Sequence, residues 1–528
     1  MQKGGHQCKA KSYSVKSAQT REREPDKPSS IMEEDIGSGT PKTTIIVGAG
    51  ARGHGYPYYA VVFPKQLKVV GVCEPRDHHR QHEVKQHNIP PENVFKDWKE
   101  AAEREKFADS VIICTPDRLH KDPAIAFAKK GYHILLEKPM AVTEADCKEI
   151  VATVKENNVI LAVCHIMRYK SWVRKVKEII DSGVIGDVVN INFTEPVGFW
   201  HFAHSYVRGN WHVEADSSFS LLAKCCHDVD LISYWMRGKP CQRVSSFGNL
   251  SHFHNGDKVG FQHFAHSFVR GNWGKESTCS FSLLTKCCHD VDLICYWMPK
   301  KSEKLSSFGN LSHFHKADQP EGAADRCLDC PASIENNCPY SAKKIYLDRV
   351  KRGHRGWPTS VFCDIVDIEN VTDALRKGPY GKCVYDTDND VMSHQVVNMQ
   401  FEGGATTTLQ MVAFTKKLCA REVKIYGTKG EVTVNDREHP LIKVFNFLTH
   451  RTDSFDPEDE MAPRALMGHG GADYQVIKAF VTALHNQDSK VIETGPDDTL
   501  ASHIVCFAAE RARKENRVLN RNSHGEFE

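Results

Sequence analysis

At 528 residues the chain is longer than one ordinary hydrophobic core serves, so two or more domains are expected. Charged residues make up 26% and hydrophobic ones 40%, and the net charge of +2 gives neither nucleic acid nor a membrane surface an electrostatic reason to bind. No apolar run approaches the roughly 20 residues of a membrane helix.

Residues 1–40 are polar and lack the apolar core of a secretory signal. Glu22, Glu24, Glu33, Glu34 and Asp35 argue against a mitochondrial presequence. A disordered N-terminal tail and a cytoplasmic location are expected, with the nineteen cysteines as reduced thiols. From 41 to 164 short apolar runs (44–47, 67–72, 110–114, 133–136, 159–163) alternate with amphipathic segments such as 122–130 and 143–156. Strands alternating with helices predict βαβ units, hence a doubly wound parallel sheet.

The region 165–515 reads differently. Residues 170–181 form a helix pattern and 186–194 alternate as a strand. Strand patterns follow at 392–401, 405–413 and 422–426, with Glu402-Gly403-Gly404 as a turn, before helices at 472–484 and 498–514. This predicts an α+β domain on a largely antiparallel sheet, closed by a polar C-terminal tail over 516–528. Inside it lies a tandem repeat, 198–254 and 260–315. Gly198-Phe-Trp-His-Phe-Ala-His recurs from Gly260, and Leu221–Met236 recurs as Leu283–Met298. Two copies are too few for a solenoid. Only one can fill one structural slot, so the other is expected to be an insertion.

Gly48-Ala-Gly-Ala-Arg52-Gly53 is GxGxxG directly after a strand. Gly48 makes the turn, Gly50 lets the backbone approach a pyrophosphate, and Gly53 lets helix and strand pack closely. Glu74 ends the next strand, where an acid accepts from ribose hydroxyls and favours NAD. Arg76 and Arg80 follow and keep a 2′-phosphate, hence NADP, open. Lys138 follows the fifth strand in Glu137-Lys138-Pro139, at the sheet edge where ligands bind. A lysine there can polarise a carbonyl or lower an alcohol's pKa. Alone, it reads better as a surface lysine before a turn proline.

The cradle, Thr115-Pro116-Asp117-Arg118-Leu119-His120, Glu137-Lys138-Pro139 and Gly468-His469-Gly-Gly-Ala-Asp473 together resemble the Gfo/Idh/MocA oxidoreductases over about 43–515. The resemblance implies a Rossmann domain and a C-terminal α/β domain whose open sheet forms substrate and oligomer surfaces. It further implies NAD(P)-dependent redox chemistry on a small sugar, inositol or related hydroxyl compound, with a homo-oligomer open. It puts Lys138 at the nicotinamide, with Arg52, Thr115, Pro116, His120 and Glu137 lining the cofactor.

The family also places a histidine on a helix of the second domain, often within Asp-x3-His-x2-Asp. The match here is Lys224-Cys-Cys-His227-Asp-Val-Asp230, with alanine at 223 in place of the aspartate. Lys224, His227 and Asp230 share one helix face. His227 or Lys224 is expected to exchange the substrate proton. The second copy offers Lys286, His289 and Asp292, and the first is preferred because it continues directly from the strand ending at Thr194. Arg168 and His469 fall at family positions near the substrate cleft, and Asp230 is counted with them. For Arg168 the reading as an interdomain ion-pair partner is slightly favoured.

Cys327-x2-Cys330-x7-Cys338 has spacing suited to zinc, with His313, His315 or Cys363 as fourth ligand; plain reduced thiols carry equal weight. The expected function is a hydride transfer between nicotinamide and a secondary alcohol or carbonyl of a small molecule. The rivals are a non-catalytic NAD(P)-binding regulator, motivated by alanine at 223 and the duplication, and an NAD-using glycosidase without net NADH formation.

Overall fold

The structure is a computed structural model that describes residues 39–211, 217–236, 239–247, 280–281, 287–310, 313–387, 389–436, 440–457, 462–463 and 466–528. The expected N-terminal tail lies almost wholly outside these residues. Six parallel strands open the chain: β1 (Lys42–Val47), β2 (Leu67–Cys73), β3 (Val94–Phe95), β4 (Ser110–Ile113), β5 (His133–Leu136) and β6 (Leu161–Val163). Their spatial order is β3-β2-β1-β4-β5-β6. Ile45, Ile46, Ile112, Ile113 and Leu135 are all buried, as strands covered on both faces require. The order reverses between β1 and β4, and the crevice at that switch point is where such sheets bind ligands.

One face is covered by α1 (Lys121–Lys129) and α2 (Glu144–Glu156). Thr143 caps α2 by accepting from the Asp146 N–H, and Glu144 and Asp146 suit the positive end of its dipole. The opposite face is covered from far along the chain. A helix at Ala472–Asn486, labelled α5 below, sets Tyr474, Ile477, Phe480 and Leu484 into one core with Ile46, Ile112 and Leu135. The first domain is therefore completed by residues well beyond 164.

The second region holds α3 (Ser171–Asp181), β7 (Val188–Pro196) and α4 (Cys226–Trp235). It continues through β8 (Lys239–Phe247), β9 (Pro299–Asn310), β10 (His394–Phe401), β11 (Thr406–Val412), β12 (Glu422–Gly427), β13 (Gly430–Asn435), β14 (Leu441–Asn446) and β15 (Thr452–Phe455). It ends with α5 and α6 (Pro496–Lys514). The sheet runs β10-β11-β7-β12-β13-β14-β15, antiparallel except for the β11–β7 pair. β10, β11 and β12 alternate buried apolar with more exposed polar residues, so one face packs on the core. The last residues, expected as a polar tail, fold back instead. Asn520 and Glu528 exchange backbone hydrogen bonds, and Phe527 is buried. Among the described residues no helix is long and apolar enough to cross a membrane.

The two repeat copies meet in one slot. Val244 of β8 and Leu305 of β9 both pair with Met399 of β10, and Ser246 and Ser307 both pair with Val397. The Cα atoms of Cys225 and Cys287 coincide, as do those of Cys226 and Cys288. The rings of His227 and His289, Tyr234 and Tyr296, and Trp235 and Trp297 superpose. Close-packed matter cannot share a volume, and one strand edge has a single row of backbone donors and acceptors. The copies are thus alternative occupants of one place, and each contact below to a residue of α4 is also open to its counterpart in the second copy.

Candidate active site

The glycine cradle has the geometry its spacing predicts. Gly48 adopts φ +88°, and a Cβ there would lie 2.8 Å from the Cys114 carbonyl oxygen. A Cβ on Gly53 would lie 1.7 Å from the Gly48 carbonyl oxygen, so only glycine allows this approach of helix to strand. Gly50 faces outward, its nearest neighbour being the Arg76 guanidinium at 3.6 Å. The backbone beside Gly50 is thus left open to a phosphate, and the residues fit a dinucleotide.

Glu74 is buried at the end of β2. Its Oε2 accepts from the Ala49 N–H at 2.7 Å, and its Oε1 from the Arg76 Nε at 2.7 Å. Burial alone would raise this carboxyl, but the hydrogen bonds from Arg76 and Ala49 hold it below the usual range. Arg80 is spent on its own loop, donating to the Glu74 carbonyl and to Asp77. Arg76 remains about half exposed beside the cradle.

Lys138 stands at the end of β5 with Nζ 3.3 Å from the Ala223 carbonyl oxygen, so the second domain reaches it directly. Burial draws its pKa down, Glu137 and Asp117 oppose this, and Lys224 and Arg52 add to it. Glu137 accepts from Arg52 Nε at 2.7 Å and from the Tyr56 hydroxyl at 3.0 Å. Arg52 also forks onto Asp473 at 2.8 and 2.9 Å, and His469 Nδ1 lies 3.0 Å from the same carboxylate. Arg52, Glu137, His469 and Asp473 are therefore one network that fastens the start of α5 to the cradle. His120 is buried between the Pro139 and Thr115 carbonyls at 2.7 and 2.8 Å, so it fixes the turns around Thr115, Pro116 and Lys138.

His227 lies in the first turn of α4. Burial, then Arg421, His165, Lys138 and Lys224, hold it well below the ordinary histidine value, hence neutral. Lys224, expected to share this proton chemistry, already has partners of its own. Lys224 is buried, with Nζ 2.8 Å from Glu195 Oε1 and 2.6 Å from Cys419 Sγ. Glu195 comes from β7 and also faces Arg421, which pairs with Asp228. A carboxylate from a strand, rather than one at 223, thus faces Lys224. Arg168 and Asp230, expected at the substrate, pair with each other out of solvent, and Arg168 also donates to the Glu493 carbonyl at 2.6 Å. The pair links the segment after β6 to α4. Lys286 of the second copy lies outside the described residues; His289 and Asp292 coincide with, or duplicate the contacts of, His227 and Asp230. The first copy's Phe199–Trp211 stretch is described, and its Trp211 Nε1 donates to Asp117 at 3.2 Å across to the cofactor domain.

Sequence reasoning missed His165, the first residue but one after β6. It is fully buried, its ring nitrogens have no hydrogen-bond partner among the described residues, and it meets His227 and His503 edge-on at 5.3 Å. Its place at the carboxyl end of a parallel strand was the available signal. Glu195 and Arg421 were hidden because a pattern within one helix does not reveal partners from strands.

Comparison with known proteins agrees with this geometry. The family model "Oxidoreductase family, NAD-binding Rossmann fold" matches residues 42–165. The "GFO/IDH/MocA C-terminal domain" matches 173–285, and "Oxidoreductase family, C-terminal alpha/beta domain" matches 256–520. The chain belongs to the Gfo/Idh/MocA oxidoreductase family. An uncharacterized oxidoreductase of Streptococcus pneumoniae is 36% identical over 144 residues, 27% of this chain and 38% of that protein. A 2,7-anhydro-N-acetylneuraminate hydratase of Mediterraneibacter gnavus is 32% identical over 152 residues, 27% and 37% of the two chains. The match thus spans less than two fifths of these relatives' length. The WlbA dehydrogenase of Chromobacterium violaceum, solved with NADH and UDP-GlcNAcA, shares the fold at TM-score 0.53 and 13% identity, covering 92% of this chain and 97% of that one. A levoglucosan dehydrogenase solved with NADH and levoglucosan gives 0.52 and 15% identity, covering 91% and 99%.

Proposed function

We propose that this member of the family is an NAD-dependent oxidoreductase acting on a secondary alcohol or carbonyl of a small sugar, inositol or related compound. The observation that carries the reading is Lys138, a half-buried lysine of lowered pKa at the carboxyl edge of the sheet, its Nζ against the Ala223 carbonyl just before α4 and electrostatically coupled to His227. When bound, the nicotinamide supplies or accepts the hydride. The ammonium of Lys138 donates a hydrogen bond to the substrate oxygen and stabilises the charge that develops there. Neutral His227 accepts the hydroxyl proton on oxidation and returns it on reduction. Lys224, Glu195 and Arg421 hold the start of α4 against β7, and Trp211 and Asp117 join the two walls of the cleft.

Glu74 supports NAD over NADP, because its carboxylate faces the cradle and holds Arg76. NADH and NADPH titrations by fluorescence test the root of the proposal: binding neither overturns it. A redox-neutral reading, in which the cofactor is recycled within each turnover, is favoured by the hydratase among the relatives. Stoichiometric NADH formation from NAD and a polyol decides against that reading and against a non-catalytic regulator. Dissolved, cytoplasmic protein acting on a small molecule, with a homo-oligomer open, is the setting this reading assumes.

A further inference from the structure

Outside the cleft, four thiols line one small cavity. Cys327, Cys330, Cys338 and Cys383 surround a space of about 20 Å³, enough for one ion or water. None is in a disulfide. The chain builds the cavity from two distant segments. The Cys327 N–H donates to the Gly381 carbonyl at 2.8 Å, and the Cys383 N–H to the Asp325 carbonyl at 2.7 Å. This pins one knuckle beside the other, with Arg326 and Lys382 in an isolated antiparallel bridge between them. The short helix Ala332–Glu335 then returns the chain, and Cys338 follows it with its N–H on the Glu335 carbonyl at 3.1 Å.

The fourth thiol is not among the ligands that spacing suggested. Cys363 points its Sγ to the Ile365 carbonyl at 3.1 Å and is not part of the cavity wall. His313 packs against Tyr340 and Tyr385 and hydrogen-bonds the Tyr385 hydroxyl at 3.2 Å. Among the described residues, two other groups keep three ligands when one repeat copy is counted, His165 with Cys226 and His227 beside the cleft and His54 with His82 and Glu83, and neither offers four. The group of Cys225, Asp228 and their counterparts falls to two residues, as does that of His165 with Asp230 and Asp292.

We propose that Cys327, Cys330, Cys338 and Cys383 form a structural zinc site. A thiolate quartet is the donor set that a soft, tetrahedral d¹⁰ cation prefers. The four sulfurs are not gathered within 4.8 Å of one another, so binding would require their side chains to turn inward onto bonds of about 2.3 Å. A buried cation stands ready for the negative charge of the closed site. The Arg208 guanidinium lies 3.6 Å from Cys327 Sγ and also donates to the Tyr340 carbonyl. Arg208 ends the stretch that carries Phe199–Val207 along the cleft, so the metal would brace a wall of the active site from behind.

The test is the metal content of the full chain purified from zinc-supplemented cells, with thiol-specific mercurial titration. One zinc per chain, released by about four equivalents of mercurial as four thiolates require, is the expected result. Replacing zinc with cobalt is expected to give thiolate-to-metal charge-transfer absorption. Cys383→Ser and Cys330→Ser should each lose the metal, while Cys363→Ser and His313→Ala keep it. Wild-type protein that retains no zinc overturns the proposal, as does iron with a visible cluster spectrum, or loss of zinc in Cys363→Ser. If the serine variants do not fold, the wild-type stoichiometry and the mercurial count still decide.

Discussion

At the scale of single residues, the two lysines near α4 differ in their surroundings. Lys138 faces the cleft, whereas Lys224 is neutralised by Glu195. Removing one partner of a buried pair leaves the other charge stranded, at about 3–5 kcal/mol. Glu195→Gln should therefore lower stability by about that much, read by chemical denaturation, while NADH affinity in the folded fraction stays unchanged. A loss of under about 1 kcal/mol would place the pair in a wetter setting than the structure gives it. Glu74 controls a different property. Glu74→Ala frees Arg76, and the ratio of NADPH to NADH affinity should rise by about tenfold or more, the worth of one charge-assisted contact. An unchanged ratio would show that Glu74 does not face the ribose. These roles were unevenly legible in sequence. The geometry of Gly48, Gly53 and Glu74 could be read because it is local to one turn and one strand end. The inert state of Lys224 could not, since it depends on Glu195 and Cys419, which only the sheet brings near.

At the scale of elements, the repeat is the feature that sequence pattern alone defined and packing explains. One edge of β10 accepts either β8 or β9. One histidine-bearing segment fits against His165. The chain thus carries a complete spare for a slot it fills once. Excising residues 236–297, which joins Trp235 to Met298, should leave a folded protein. Its NADH affinity should match that of the full chain, and its melting temperature should be no lower. Failure of the excised chain to fold would mean that both copies have places of their own. The parallel sheet was readable from alternating apolar runs. The covering helix α5 was not assigned to the first domain, because nothing in the pattern of 472–484 tells which sheet its apolar face will meet. The expected C-terminal tail failed for a similar reason: Leu519 and Phe527 are isolated apolar residues in a polar stretch, yet both reach the core.

At the scale of the whole molecule, several histidines are buried neutral. His165 and His227 are held well below the ordinary value by burial first, and His503 is drawn down to about 3 by the same cause. A group of depressed pKa contributes stability that is present above its unfolded value, about 6.5, and is lost as pH falls towards its folded value. His503 alone should account for about 2 kcal/mol between pH 7 and pH 5. Thermal melting followed from pH 7.5 to pH 5 should show a steady decline that begins near pH 6.5. A flat profile would mean these imidazoles reach water or a proton partner in the native state.

The two domains meet at Lys138, and there the account is most exposed to test. The decisive measurement is NADH formation from NAD over a panel of sugars, inositols and related polyols, comparing wild type with Lys138→Ala at matched NADH binding. The account predicts turnover with at least one compound by wild type. It predicts a loss of at least about 100-fold in the variant, as expected when a group that stabilises developing charge is removed. Equal rates in the two proteins, or NADH binding without turnover on any compound, would contradict it.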